Sequence, residues 1–217
     1  MIGMALVAFD FDGTLCQSDM TVLLGREYDV AGEIRGLAEQ GIRGDVDFTT
    51  SLRQRVSLLE GMPESKVDAA FNRCKLRNGA AEMLSDLRQS GLSVAIITGS
   101  FERGVEAALQ RAGVEVDHII ANNLVVKNGA LTGAVEGPLL DRQKDHALEE
   151  LALAEGLDLG QTIAVGNGSQ DLPMLRIAGT AIGFAPEPVV EEYCDVVMTS
   201  IRELQLYFEQ HNLIKRE

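Results

Sequence analysis

The chain contains 217 residues with a mass of 23.4 kDa, of which 46% are hydrophobic and 24% charged. This size and composition fit one globular body with at most a small inserted subdomain, and they exclude fibrous and disordered proteins. The 19 Lys and Arg residues against 33 Asp and Glu residues give a formal net charge of −14, which repels nucleic acid and anionic lipid headgroups. We therefore expect a small-molecule partner, and neither nucleic acid nor a membrane.

We expect neither a membrane span nor a secretory signal in this sequence. The longest apolar runs, Ala5–Phe9 and Val94–Ile97, are far shorter than the roughly 18 residues that a membrane-spanning helix needs. Residues 1–10 lack the basic start and cleavage site of a secretory signal. The 3 cysteines are odd in number and far apart, which favours a reducing compartment over a disulfide framework. The sequence predicts a cytoplasmic protein, and we expect a monomer or a homodimer.

Apolar runs of strand length alternate along the chain with stretches of helical spacing. This alternation is typical of a mostly parallel sheet covered by helices, so we predict an α/β fold. Most of these runs are too uniformly apolar to have a solvent-facing side, which places them in the sheet interior. The predicted strands are Ala5–Phe9, Ser93–Ile97, His118–Ala121, Thr162–Val165, Thr180–Gly183 and Asp195–Met198.

The region between the first two predicted strands has no obvious strand. Its stretches Met20–Gln40 and Phe48–Glu60 repeat Leu, Ile and Val at three- and four-residue intervals, which predicts helices. We interpret residues 17–75 as an inserted helical cap and residues 1–16 and 76–217 as the α/β core. Hinges at the two borders would let the cap act as a lid.

Turn and helix signals complete the second half of the chain. Asn128-Gly129 lies between alternating apolar positions and predicts a β-hairpin across Asn123–Val135. Helical spacing predicts helices at Gln143–Glu155 and Ile201–Gln210, with a short one at Asp171–Ile177.

The first chemical motif is Phe9-Asp10-Phe11-Asp12-Gly13-Thr14, which directly follows the first predicted strand. Open α/β sheets bind their ligands at this position, beyond the carboxyl ends of the strands. Two nearby carboxylates repel each other and lose hydration, so a cation or a shared proton would explain why both are present. The simpler interpretation is that Asp10 and Asp12 only cap a turn.

Two further elements could bind phosphate. Thr98-Gly99-Ser100 follows the second predicted strand, and a hydroxyl together with backbone N–H groups exposed by small residues could hold a phosphate oxygen. A turn or helix cap is an equally good interpretation of these residues on their own. Lys144 begins a predicted helix and could offset the negative charge of two Asp side chains and a phosphate. A solvent-exposed lysine would be the usual interpretation elsewhere.

The fourth element is Gly166-Asn167-Gly168-Ser169-Gln170-Asp171, after the strand Thr162–Val165. It lacks the third glycine of a dinucleotide-binding motif, so we exclude a site of that kind. Asn167 and Asp171 instead offer oxygen ligands, and coordination by oxygen alone selects a hard cation such as Mg²⁺.

These four elements, in this order and each at the end of a strand, resemble the haloacid dehalogenase superfamily of phosphohydrolases. The resemblance begins at Asp10-x-Asp12-Gly-Thr-Leu and covers most of the chain. The patterns in Asp47–Leu59 and Gly166–Leu175 are similar to those of the members that hydrolyse O-phospho-L-serine. The resemblance implies a Rossmann-like core, with helices on both faces of the sheet, and a small helical cap inserted after strand 1.

The resemblance also implies catalytic roles for individual residues. Asp10 would be the nucleophile that becomes an aspartyl-phosphate, and Asp12 would be the general acid and base. Thr98, the Gly99 amide and Lys144 would hold the phosphoryl oxygens. The Mg²⁺ ligands would come from four residues, which are Asp10, Asp12, Asn167 and Asp171.

A second set of residues would bind the rest of the substrate. Arg55 would bind the α-carboxylate and Asp19 the α-ammonium, while Phe48 and Ile42 would exclude water from the pocket. Gln170 is the remaining predicted substrate contact. Arg55 and its neighbour Arg53 could alternatively lie on a solvated helix face.

The chain departs from the superfamily pattern at Asn167, where an Asp is usual, and at Asp19, where a Glu is usual. Gln170 and Thr98 also stand where Asn and Ser are usual, but they keep the polar function. The first two departures leave two alternatives to phosphoserine hydrolysis. Asp19 would suit another small amino- or hydroxy-acid phosphate, and Asn167 would suit a phosphate-binding relative with weakened catalysis.

Overall fold

The structure is a computed structural model that describes residues 5–43 and 45–215. Residues 1–4 and 216–217, which the sequence assigns to the core, lie outside the described residues. Gly44, which the sequence assigns to the cap, lies outside them as well.

The strands of the described residues form one twisted sheet. They are β1 (Leu6–Phe9), β2 (Ser93–Phe101), β3 (His118–Lys127), β4 (Ala130–Glu136), β5 (Thr162–Gly166), β6 (Thr180–Phe184) and β7 (Val196–Met198). Their spatial order is β4-β3-β2-β1-β5-β6-β7, and all neighbours are parallel except the pair β3 and β4. The central strand β1 is buried along its whole length, as its uniformly apolar sequence predicts.

The helices cover both faces of this sheet. Those of the described residues are α1 (Met20–Glu27), α2 (Ala31–Ile42), α3 (Phe48–Ser57), α4 (Glu64–Phe71), α5 (Ala80–Gln89), α6 (Glu102–Ala112), α7 (Lys144–Ala154), α8 (Leu172–Ile177), α9 (Pro188–Glu191) and α10 (Ile201–Gln210). Along β1, Val7 and Phe9 join one apolar cluster with α5, α6 and α10, while Leu6 and Ala8 join a second with α7, α8 and α9. Side chains of a strand alternate between its faces, so β1 contributes to both layers of the core. The predicted α/β fold is confirmed.

Helices α1 to α4 follow β1 and occupy the region that the sequence assigns to the cap. The predicted helical stretch Met20–Gln40 is divided into two helices, because Asp29 adopts a left-handed conformation with a φ of 61° between them. None of the helices in residues 5–43 and 45–215 is long and apolar enough to cross a bilayer.

The hairpin prediction is confirmed, with one correction to its first strand. Asn128 and Gly129 have φ angles of 55° and 77°, the positive values that a tight two-residue hairpin turn requires. The predicted strand His118–Ala121 does not end before the hairpin. It continues to Lys127 as β3, which is the first strand of the hairpin. Asn122 interrupts the apolar pattern, yet its buried side chain donates to the Gly99 carbonyl oxygen at 2.9 Å and accepts from the Leu139 N–H at 3.1 Å.

Strand β2 is also longer than predicted. Its predicted end is Ile97, but β2 continues to Phe101, with a shift in its register against β3 between those two residues. Thr98 and Gly99 therefore lie on the irregular last part of a strand rather than after it.

Candidate active site

One cavity of about 640 Å³ gathers all the site residues that the sequence predicts. It lies at the carboxyl ends of β1, β2 and β5, and α1, α2, α3 and the segment 139–144 supply much of the rest of its wall. The predicted residues that line it are Asp10, Asp12, Asp19, Ile42, Phe48, Arg55, Thr98, Gly99, Lys144, Asn167, Gln170 and Asp171.

Asp10 and Lys144 form a buried ion pair in this cavity. Lys144 Nζ donates to Asp10 Oδ1 and to Asp171 Oδ1, each over 2.6 Å. Burial and the charge of Asp171 raise the pKa of Asp10 to about 6, although Lys144 opposes the shift. Burial would lower the pKa of Lys144, but the two carboxylates outweigh it and raise that pKa. The Lys144 ammonium group is therefore held beside Asp10 Oδ1. The other oxygen of Asp10, Oδ2, faces a different set of groups.

Asp171 is committed to protein donors on both oxygens. Its Oδ1 accepts from Lys144, and its Oδ2 accepts the backbone N–H groups of Asn167 at 2.8 Å and Gly168 at 3.0 Å. These contacts suit a residue that orients Lys144 and the loop after β5. The predicted role of Asp171 as a metal ligand stays a prediction.

Asp12 lies in the loop between β1 and α1. Its Oδ2 accepts the backbone N–H of Met20, the first residue of α1, at 2.9 Å. Its Oδ1 is buried and has no hydrogen-bond partner among the described residues. Burial, followed by the charge of Asp19, raises the pKa of Asp12 well above its ordinary value. A carboxyl group in this environment is disposed to carry a proton, as a general acid must.

Oxygen atoms converge next to Asp10 and Asn167. One terminal atom of the Asn167 amide lies 3.2 Å from Asp10 Oδ2, from the Asp12 carbonyl oxygen and from Thr14 Oγ1. If that atom is nitrogen, the amide donates to these oxygens. If it is oxygen, the carboxylate and carbonyl oxygens face it without a proton between them, an arrangement that a cation would stabilise.

The donor set fits Mg²⁺. Ligand oxygens about 2.1 Å from Mg²⁺ in an octahedral shell lie roughly 3 Å from their neighbours, close to the separations of 3.2 Å found here. Within the described part of the chain, no group of three or more His, Cys, Asp or Glu side chains could hold a metal ion. A cation at this position would therefore depend on the Asp12 backbone oxygen and the Asn167 amide oxygen in addition to Asp10.

The loop that carries Asp10 and Asp12 is fixed by contacts that the sequence analysis did not find. Gly13 has a φ of 88°, and a Cβ atom there would approach Asn167 Nδ2 to 2.6 Å, so this position requires glycine. Arg77 donates to the Gly13 and Thr14 carbonyl oxygens at 2.8 and 2.9 Å. Arg77 lies 63 residues beyond Thr14, and no local pattern signals the contact.

Arg55 and Asp19 meet on the side of the cavity that α1 and α3 form. Arg55 is only 6% exposed, and its Nη1 lies 3.3 Å from Asp19 Oδ2 and 3.0 Å from Thr21 Oγ1. Its neighbour Arg53 is exposed, so the alternative of a solvated face applies to Arg53 and not to Arg55. Asp19 also caps α1, because its Oδ1 accepts the N–H groups of Thr21 and Val22.

Phe48 closes the cavity against the end of β2. A Cβ atom on Gly99 would lie 2.5 Å from Phe48 Cζ and 3.3 Å from Gln170 Oε1, so both side chains lie directly over this glycine. Ile42 lines the cavity too, but it is 62% exposed. Most of its side chain contacts solvent at the end of α2, so its role in excluding water from the pocket stays a prediction.

Thr98 and Ser100 line the floor of the cavity from β2. Thr98 is buried, and its Oγ1 accepts the Ser100 N–H at 3.2 Å. The Ser100 hydroxyl is buried and has no hydrogen-bond partner among the described residues, so it is a further polar group at the site that the sequence analysis did not assign a role.

The fold and these residues define a hydrolase of a known family. Residues 7–176 match the family model described as haloacid dehalogenase-like hydrolase, and the chain belongs to this family. The family resemblance stated from the sequence is thereby confirmed.

Relatives with closely similar sequences carry a narrower description. The chain is 42% identical over 210 residues to a phosphoserine phosphatase of Halobacterium salinarum, a match that covers 97% of this chain and 100% of that protein. It is 36% identical over 207 residues to a phosphoserine phosphatase of Methanocaldococcus jannaschii, covering 94% and 97% of the two chains.

Solved structures agree with this similarity. A substrate-bound phosphoserine phosphatase complex superposes with a TM-score of 0.88 at 36% identity, covering 94% of this chain and 98% of that one. A phosphoserine phosphatase with an analogue of the phospho-aspartyl intermediate superposes with a TM-score of 0.87, at the same identity and coverage.

Proposed function

We propose that this chain is a Mg²⁺-dependent phosphomonoesterase that converts O-phospho-L-serine to L-serine and phosphate through an aspartyl-phosphate at Asp10. The observation that carries the proposal is the buried Asp10 carboxylate at the end of β1, held by Lys144 over 2.6 Å at the floor of the cavity. Sequence similarity to phosphoserine phosphatases over nearly the whole chain supports the choice of substrate.

In the first step, a carboxylate oxygen of Asp10 attacks phosphorus and forms an acyl phosphate bond. The bond from phosphorus to the serine oxygen breaks, and Asp12 transfers its proton to that leaving oxygen. The raised pKa of Asp12 supports this role, because the acid must begin the step protonated.

In the second step, Asp12 acts as the base. It takes a proton from a water molecule that attacks phosphorus, and the acyl phosphate bond breaks to regenerate Asp10. In both steps Lys144, Thr98 and the Gly99 N–H would hold the phosphoryl oxygens, which is mainly a matter of electrostatic positioning.

The proposed ligands for Mg²⁺ are the Asp10 carboxylate, the Asp12 carbonyl oxygen and the Asn167 side-chain oxygen. When bound, the ion supplies positive charge that reduces the repulsion between the Asp10 carboxylate and the phosphate. Asp12 Oδ1, for which the described residues supply no hydrogen-bond partner, is left to the proton transfers rather than to the metal.

Residues 17–75 would act as a cap that covers the substrate. The contact of Phe48 with Gly99 supports this, because it brings a side chain from α3 onto the floor of the cavity. The buried Arg55 guanidinium would bind the substrate carboxylate, and Asp19 would bind its ammonium group. The three free cysteines support a reducing, cytoplasmic location.

A second candidate substrate is a hydroxy-acid phosphate, and the bonding of Asp19 favours it. Oδ1 of Asp19 already accepts from Thr21 and Val22, and Oδ2 pairs with Arg55. Only Oδ2 therefore remains for an ammonium group, which would compete there with Arg55 unless Arg55 moves to the substrate carboxylate. 3-Phosphoglycerate carries a hydroxyl where phosphoserine carries the ammonium, so the two compounds separate the alternatives.

The test is phosphate release from phosphoserine, 3-phosphoglycerate and p-nitrophenyl phosphate, each with and without Mg²⁺. We expect the highest kcat/KM for phosphoserine, a requirement for Mg²⁺ and no release by Asp10→Asn. A preference for 3-phosphoglycerate would favour the second candidate. Failure to release phosphate from any ester would favour a phosphate-binding relative whose catalysis is weakened, the alternative that Asn167 leaves open.

A further inference from the structure

Two cysteines that are distant in sequence meet inside the protein. The Sγ atoms of Cys16 and Cys74 lie 3.1 Å apart, and both side chains are fully buried. We propose that this pair is an oxidation site, at which a peroxide converts the two thiols to a disulfide that reversibly inactivates the enzyme. The proposal goes beyond phosphate ester hydrolysis, which uses neither cysteine.

The pair lies where the two connections between the α/β core and helices α1–α4 run side by side. Cys16 belongs to the outgoing connection, between β1 and α1, and Cys74 belongs to the return, directly after α4. Cys16 forms a β-bridge with Leu76, and the Arg77 N–H donates to the Leu15 carbonyl oxygen at 2.8 Å. A disulfide here would join both connections at one point.

The geometry of the thiols suits this reaction. A disulfide bond measures about 2.05 Å, so the sulfur atoms need to approach by roughly 1 Å. The Ser18 N–H donates to Cys16 Sγ over 3.4 Å, and a donor at this position favours the thiolate, which is the reactive form.

The reaction balances with hydrogen peroxide as the oxidant. The Cys16 thiol releases its proton, and the thiolate attacks one peroxide oxygen. The O–O bond breaks, a sulfenic acid forms, and the departing hydroxide takes up the released proton to give one water. The Cys74 thiol then attacks the Cys16 sulfur, the S–O bond breaks, and the second water leaves. Two electrons pass from the thiols to the peroxide. Because both thiols are buried, the peroxide would reach them when α1–α4 move away from the core.

The consequence for activity follows from what adjoins Cys16. The Cys16 N–H donates to the Phe11 carbonyl oxygen at 2.9 Å, and the Gly13 N–H donates to the Cys16 carbonyl oxygen at 2.8 Å. These bonds make Cys16 part of the loop that carries Asp12. A disulfide would restrain this loop and the motion of α1–α4 that admits substrate.

The experiment uses Cys194→Ser as the parent protein, so that Cys16 and Cys74 are the only thiols. Cys194 lies outside the cavity, and we expect this variant to keep full activity. After hydrogen peroxide treatment and removal of the peroxide, thiols are counted in denaturant and non-reduced peptides are mapped. We expect loss of both thiols, a peptide that joins Cys16 to Cys74, and an activity decrease of at least tenfold that dithiothreitol reverses.

Control variants separate the disulfide from other oxidative damage. In the parent background, Cys74→Ser and Cys16→Ser cannot form the link, and the reversible part of the activity loss should disappear in both. If the treated parent loses no thiols, or forms the link and retains full activity, the proposal is overturned. The peptide map is made on the parent protein, which keeps both Cys16 and Cys74. The test therefore remains decisive even if one of the control variants fails to fold.

Discussion

Lys144 Nζ lies 2.6 Å from Asp10 Oδ1, although 134 positions separate the two residues in the sequence. The contact exists because β1 ends, and α7 begins, at the carboxyl edge of the sheet. It places a buried positive charge between two carboxylates, Asp10 and Asp171. This single positive charge balances only one of the two negative charges. The remaining negative charge suits a site that also binds a divalent cation.

Replacement of this lysine tests the charge balance. We expect Lys144→Met to lower kcat/KM for phosphoserine at least ~100-fold, because a group that contacts the transferring phosphoryl oxygens is lost. The free energy of unfolding at pH 7 should fall by about 3 kcal/mol, since two buried carboxylates lose their partner. Steady-state kinetics and urea unfolding measure the two effects. Lys127→Met removes an exposed lysine and should change neither quantity.

The two arginines of α3 offer a matched test of substrate binding. We expect Arg55→Ala to raise the KM for phosphoserine roughly 10- to 100-fold, because a charged hydrogen bond to the carboxylate is lost. The KM for p-nitrophenyl phosphate, which has no carboxylate, should change much less. Arg53→Ala removes the same group from an exposed position and should leave both constants unchanged. Equal effects of Arg55→Ala on the two substrates would contradict the assignment.

The amide of Asn167 should limit the affinity for Mg²⁺. We expect Asn167→Asp to bind Mg²⁺ about tenfold more tightly, since a carboxylate replaces a neutral oxygen donor. Without the metal, the new carboxylate faces Asp10 Oδ2 and the Asp12 carbonyl oxygen and is repelled by them. The melting temperature of the variant should therefore fall. Calorimetric titration and thermal unfolding with and without Mg²⁺ measure both effects, independently of activity.

The control for Asn167→Asp is Asn128→Asp, which adds the same charge at the exposed hairpin turn. It should leave the response to Mg²⁺ unchanged. Weaker Mg²⁺ binding by Asn167→Asp would contradict the proposed ligand set.

Asp117 provides a pH-dependent prediction away from the cavity. Partial burial opposes ionisation, but hydrogen bonds from Arg88 and from the Val94 N–H outweigh it and lower the pKa of Asp117. Its stabilising effect is therefore present above pH ~4, the ordinary range of an aspartate pKa, and is lost as the pH falls through the lowered value.

We expect Asp117→Asn to reduce the free energy of unfolding by about 1 kcal/mol at pH 7, with a smaller difference near pH 3. Urea unfolding at several pH values measures this. Glu115→Gln changes a nearby, largely exposed carboxylate and serves as the control. A difference that grows as the pH falls would contradict the assigned sign.

The sequence was most informative where chemistry and secondary structure coincide. Uniformly apolar runs predicted the inner strands, and the acidic or small residues directly after them predicted the wall of the cavity, because parallel strands end at the same edge. The family resemblance added Asp19 and Arg55, whose distance from Asp10 in the sequence gives no spatial information by itself.

Contacts that depend on tertiary structure were missed. Arg77 and Asn122 support the site through backbone carbonyl oxygens, and nothing in their local sequence distinguishes them from other polar residues. Helices α5 and α6 were missed because each buries only a narrow apolar stripe within a largely polar sequence. The exposure of Ile42 depends on where α2 ends, which periodicity determines poorly.

The most direct test of the central claim is to stop turnover of phosphoserine with acid and map phosphorylated peptides by mass spectrometry. With Mg²⁺ present, we predict one added phosphoryl group, located on Asp10, and none in Asp10→Asn. Turnover with the phosphoryl group on another residue, or with no phosphorylated residue at any time, would contradict the account.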